Sequence, residues 1–188
     1  MARKALAAAL LASSWFAAPA WPHAPADDDI VNRIISLPVP SAYRVDGLRN
    51  KPPVRSDPAV QGGKALRVDV PGKGVHEWDI SVAVPINKPV KAGDTLVLAF
   101  WARLEKGENG ATSTVLPSNA VQLAHDPYTA LFGGPITIGP EWKLQQVQGK
   151  ADRDHAAGDL NVSLHLATAK QVVDIGPVFV LDMGPDAH

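Results

Sequence analysis

Trp101 and Arg103 stand two residues apart in Thr95–Leu104, the longest run of strict alternation in the chain. Leu96, Leu98, Phe100, Ala102 and Leu104 share one parity, the pattern of a strand face laid against a core. Trp101 and Arg103 belong to the other parity and project together from the opposite face. The same rule turns Asp79 and Ser81 outward in Trp78–Val84, Gln122 outward in Asn119–Ala124, and Ser163 and His165 outward in Leu160–Ala167. Tyr128 follows in the His125–Tyr128 loop. These side chains are suited to non-covalent recognition of a polyhydroxylated ring. An aromatic face stacks on the apolar C–H face of a sugar, while Arg, Gln, Asp and His pair with its rim of hydroxyls. Each residue also has a plainer use. Trp101 can pack between sheets, Tyr128 can anchor its loop through its hydroxyl, and His165 can be a surface hydrogen-bonding group.

Reactive chemistry is less well supplied. The chain has no cysteine and no Gly-x-Ser-x-Gly elbow. Glu105 and Glu108 are two carboxylates in a polar loop, EKGENGATS, where nothing fixes the separation that a glycosidase pair needs. The six histidines are scattered, without His-x-His or His-Glu-x-x-His spacing, so no catalytic metal is expected. The expectation is a protein that binds and is not an enzyme.

Strands joined by turns must position these residues. From Gly62 to Glu105 three are legible: Ala65–Val70, broken by Gly72–Gly74; Trp78–Val84; and Thr95–Leu104, reached through the Pro, Gly and Asp of Lys88–Asp94. In the second, Trp78 shares parity with Ile80, Val82 and Val84 and is expected in the core. Ile30–Leu37 fits either a first strand or a short helix and ends at Pro38 and Pro40. Ser41–Leu48 reads as a strand, and Asn50–Pro58 as a loop rich in proline and basic residues. Gly133-Gly134-Pro135 reads as a turn, with Ile136–Ile138 a short strand beyond it. Lys150–Asp159 is a charged loop, and Val172–Leu181 closes the chain with an interruption at Gly176-Pro177. With 17 prolines and 15 glycines spread between short apolar runs, the composition suits one all-β sandwich domain.

The order GGKALRV, EWDISVAVP, VKAGDTLVLAFWAR, PYTAL, GPEWKLQQVQG, LNVSLHLA and VVDIGPVFV resembles the jelly-roll carbohydrate-binding modules of the family 4, 9 and 22 kind, a galactose-binding-like β-sandwich. It extends from about Pro58 to Leu181. The resemblance implies a two-sheet antiparallel jelly roll that is non-catalytic. It also implies that Trp101, Arg103, Gln122, Tyr128, Asp79 and His165 lie on one sheet face and bind a polysaccharide of the β-glucan or xylan type. Trp142 is a packing residue in this comparison. A separately encoded glycoside hydrolase is a partner the resemblance admits. Modules of this kind carry paired aspartates in the last strand, one assisting a structural calcium. Gly176 and Pro177 stand there instead, so no cofactor is expected and calcium stays open only through nearby Asp174 and Asp182. The competing reading is a jelly-roll interaction or assembly domain that binds no glycan.

Met1–Ala26 reads as a signal peptide: a basic start at Arg3 and Lys4, a short apolar run, and small-x-small sites ending at Ala20 and Ala26. Residues 27–57 and 58–188 are then read as one domain. Loss of Arg3 and Lys4 leaves a net charge of −3 with no basic run, which argues against nucleic acid. No membrane association is expected after cleavage, and the location is periplasmic or secreted. Amino-terminal sequencing of the exported protein should return Trp21 or Asp27; an intact Met1–Ala20 segment on it would refute this reading.

Overall fold

The computed structural model describes residues 27–185; the signal-peptide reading falls outside them. Helix α1 (Asp27–Arg33) opens this region, so the helical option at Ile30–Leu37 holds only for its first half. Ten strands follow. The first sheet runs β1 (Arg44–Asp46), β4 (Ser81–Pro85), β9 (Leu160–His165), β6 (Thr114–Leu123) and β7 (Ala130–Ile138) in spatial order. The second runs β2 (Val54–Ser56), β3 (Lys64–Val70), β10 (Gln171–Asp182), β5 (Thr95–Lys106) and β8 (Lys143–Lys150). All pairings are antiparallel. The chain is therefore the all-β, two-sheet sandwich its alternation implies.

One core lies between the sheets. Leu66 and Val68 of β3, Leu98 and Phe100 of β5 and Ile175 of β10 meet Val82, Val84, Val162, Leu164 and Val121 of the other sheet, all fully buried. Each such side chain contributes about 2 kcal/mol of hydrophobic stabilisation. One expected turn is not a turn: Gly133, Gly134 and Pro135 lie inside β7, with Gly133 opposite Ala120 and Gly134 opposite Asn119. Turn composition misleads here because β7 is an edge strand, where proline and glycine are tolerated.

β10 is the structural spine. It pairs with β5 along its length, and with β3 only from Gln171 to Ile175. At Gly176-Pro177 the register with β5 shifts by a bulge. Glycine is required there, since a Cβ would stand 2.7 Å from Val60 Cγ2 and 2.9 Å from Trp101 Cβ. Past the bulge, the N-terminal segment takes over from β3. The Ile35 amide donates to Val180 O, and Ser36 Oγ accepts from Val180 N and donates to Val178 O. Tyr43, 2% exposed, accepts from Val178 N at 2.8 Å and donates to Gly176 O at 3.3 Å. A buried hydroxyl thus satisfies backbone groups that the bulge would orphan.

Burial pushes the Tyr43 hydroxyl well above the ordinary tyrosine range, with the Val178 amide opposing in part. The folded state then holds this proton more tightly than the unfolded chain. The stabilisation is complete below a pH of about 10 and declines above it, as the unfolded chain begins to ionise. Tyr43→Phe should cost about 1–2 kcal/mol in urea denaturation at neutral pH and flatten the loss of stability at alkaline pH. An unchanged alkaline slope would refute this role.

Candidate functional site

The outward face of the first sheet forms a groove of about 740 Å3. Its floor comes from parity along β4, β9 and β6. Ser81 lies opposite His165, Ala83 opposite Ser163, and Asn161 opposite Gln122. Short side chains, Ala83 and Ser163 with Ala120 beyond, occupy the middle row, and longer polar ones stand on either side. Arg44 and Asp46 of β1 extend the surface at one edge, where Arg44 Nε donates to Asp46 Oδ2 at 3.0 Å.

Two exposed aromatic residues flank this floor from opposite ends of the strands. Trp78, 54% exposed, precedes β4 beside His165; Tyr128, also 54% exposed, follows β6 beside Gln122 and Ala130. Trp78 is not the core residue its parity implies. Glu77–Asp79 forms a 3-10 turn, which breaks the alternation before β4 begins at Ser81. Ile80, Val82 and Val84 remain inside while Trp78 swings out. His76 stacks on its ring at 4.5 Å between centroids, 4° from parallel, and His165 meets its edge at 6.1 Å. Nδ1 of His165 donates to Glu77 Oε1 at 3.3 Å. Asp79 caps the turn, its Oδ2 accepting the His76 amide at 3.0 Å, and does not line the groove. Gly47 lets β1 end against this turn: its φ is +83°, and a Cβ there would sit 1.7 Å from Asp79 O.

The six residues expected on one face are thus divided. Gln122, Tyr128 and His165 line the groove. Trp101 and Arg103 face outward as their parity requires, but from β5, which belongs to the other sheet. Two sheets packed on one core have outward faces pointing apart, so equal parity on β5 and β6 does not mean a shared surface. Trp101 Nε1 donates to Gln61 Oε1 at 3.0 Å. Arg103 joins an ion network around buried Asp174, whose oxygens accept from Arg67 Nε at 2.8 Å and Arg103 Nε at 3.0 Å. Glu105 and Asp57 complete it, pairing with Arg103 at 2.9 and 3.2 Å. The Arg103 guanidinium also lies 5.0 Å from the centroid of the Trp142 ring. Asp57 is held below the ordinary carboxylate range, first by the Ala59 amide and then by the Trp142 indole.

Sequence reasoning passed over Arg44, Asp46, Glu77 and Ser118, assigned Trp78 to the core and left outward-facing Asn161 out of the site; all six line the groove. Asn161 shares parity with Ser163 and His165, and Arg44 and Asp46 flank Val45, so their orientation was readable. For Trp78 the signal was Glu77 and Asp79 around it, acidic residues suited to the start of a helical turn.

The residues at the expected calcium position do not fit that ion. Gly176 and Pro177 offer no carboxylate, and Asp174 is taken up by two arginines. Asp182 Oδ1 accepts the Gly184 amide at 2.9 Å. Among the described residues no cluster of three or more potential ligand side chains is gathered, and no helix is long and apolar enough to cross a membrane.

No family model matches the sequence, and no curated protein matches it significantly. Solved structures do match in fold. A CBM4 structure aligns with a TM-score of 0.53 at 14% identity, over 76% of this chain and 96% of that one. The second N-terminal cellulose-binding domain of Cellulomonas fimi β-1,4-glucanase C aligns with a TM-score of 0.53 at 20% identity, over 75% and 85%. The CBM22-1–GH10 modules of Clostridium thermocellum xylanase 10B, complexed with xylohexaose, give 0.55 at 10% identity, over 79% of this chain and 28% of that one. The fold is that of the carbohydrate-binding modules of families 4 and 22.

Removal of Asp174 would take away the buried carboxylate that Arg67 and Arg103 share, leaving them only Glu105 and Asp57. Asp174→Ala should lower stability by about 3 kcal/mol, read from the urea midpoint, while leaving the groove on the opposite sheet untouched. A loss below about 0.5 kcal/mol, the scale of an exposed ion pair, would refute a structural role.

Proposed function

We propose that this protein is a non-catalytic carbohydrate-binding module that takes a neutral polysaccharide, of the β-glucan or xylan type, in the groove of the first sheet. The observation that carries the reading is the pairing of exposed Trp78 and Tyr128 across a floor of short and hydrogen-bonding side chains. A sugar chain offers apolar ring faces to the aromatic residues and hydroxyls to Gln122, Asn161, Ser163 and His165. With Arg44 neutralised by Asp46, the groove has no unpaired cation to favour an acidic ligand. The fold it shares with a cellulose-binding domain and with modules complexed with xylohexaose supports the same class of ligand. Secretion to the periplasm or medium, action beside a separately encoded glycoside hydrolase, and the signal peptide at Met1–Ala26 belong to the same proposal. The rival is an association domain that uses the same face without glycan.

Affinity electrophoresis in barley β-glucan and xylan gels tests the reading. Loss of a stacked aromatic anchor costs about 2 kcal/mol, so Trp78→Ala should weaken binding by more than about tenfold. Gln122→Ala should weaken it less, and Trp101→Phe on the other sheet should leave it unchanged. Trp78→Ala should melt as the wild type does, because the ring is largely exposed. Absence of binding to every neutral glycan would favour the association reading. Binding sensitive to Trp101 and not to Trp78 would move the site to the other sheet.

A further inference from the structure

A second concavity, of about 1000 Å3, lies at one end of the other sheet, between the β1–β2 connection, β3 and the facing ends of β5 and β10. Its character differs from that of the groove. Six cationic side chains line it against two acidic ones, on a protein whose formal net charge is −1. Glu105, one of the two acids, is already engaged by Arg67 and Arg103. Arg49, Lys51, Arg55, Lys106 and Lys170 are exposed, and among the described residues none of them forms an ion pair. Between them lie the apolar surfaces of Pro53, Pro71 and Val172.

We propose that this cleft is a second binding site, for an acidic polysaccharide bearing carboxylate or sulfate groups on its sugar rings. Clustered unpaired cations create a positive potential that concentrates polyanions. The apolar floor suits ring C–H faces. No aromatic residue lines the cleft, so it lacks the stacking platforms with which proteins hold single-stranded nucleic acid. Its concave shape suits a chain better than a lipid surface. Arg49, Lys51 and Arg55 come from one short stretch at the basic, proline-rich loop, and folding brings Lys106 and Lys170 beside it. This site is independent of the groove and of the ligand proposed for it.

Isothermal titration of the exported protein with polygalacturonate and, separately, with heparin tests the proposal, and the tighter of the two assigns carboxylate or sulfate. Binding should weaken by about tenfold or more between low and moderate salt, as expected when several charge contacts release counterions. The triple variant Lys51→Ala/Arg55→Ala/Lys106→Ala, all exposed positions outside the Asp174 network, should weaken it at least as much at low salt. Trp78→Ala in the groove should leave it unchanged. The proposal is overturned if the wild type binds neither polyanion at low salt, or if a folded triple variant binds as the wild type does. Equal affinity for duplex DNA or phosphatidylserine vesicles would also overturn it, by marking the patch as non-selective.

Discussion

Each strand of this protein can bury only one of its two faces, and there is one core to bury it in. Leu98, Phe100, Val82, Val162 and Ile175 fill that core from both sides. Every residue of the other parity is committed to one of two outer surfaces that face away from each other. The arrangement of polar chemistry follows from that constraint. No combination of local changes brings Trp101 to Gln122, because the whole thickness of the sandwich lies between their sheets.

The two outer surfaces are treated differently. On the β10 sheet, much of the polar face is closed over. Asp174, Arg67, Arg103, Glu105 and Asp57 satisfy one another, and Trp142 and Trp101 donate to Asp57 and Gln61 in the loop that covers them. Charges held in this way are costly to remove singly, since each removal unbalances the partners that remain partly buried. On the β9 sheet the polar face forms a groove, with Ser81, Asn161 and Ser163 nearly buried in its floor and exposed residues along its rims. Small residues in the middle row and aromatic rings at both ends give it a floor and walls. Stability and recognition are therefore assigned to opposite faces of one sandwich, so that a ligand surface is available without weakening the network that fastens β10.

Charge separates the faces further. The groove pairs Arg44 with Asp46, and Glu77 accepts a hydrogen bond from His165, so no unpaired cation faces the ligand. The cleft at the end of the β10 sheet sets the cations of the basic, proline-rich loop beside Lys106 and Lys170, which folding brings to it. A net charge near zero for the whole chain thus conceals a strongly uneven surface.

The sequence by itself determined the fold class and the alternating strands with most of their inward residues, because alternation is a local property and burial rewards it directly. The short β2 and the glycine–proline stretch of β7, which carry no such alternation, read as loop and turn. It also determined the outward direction of Gln122, Ser163, His165, Trp101 and Arg103, each of which faces away from the core. Tertiary structure decided which outward residues are neighbours. Strand order joins β4 to β9 and β9 to β6, and separates β5 from all three; pairing between strands distant in sequence leaves no trace in the parity of any one of them. It also decided the fate of Trp78, where a single 3-10 turn at Glu77–Asp79 converts an apparent core residue into a groove wall. The fold was legible because most strands repeat the same signal. The site was only partly legible because it depends on one local break in that signal and on which strands lie side by side.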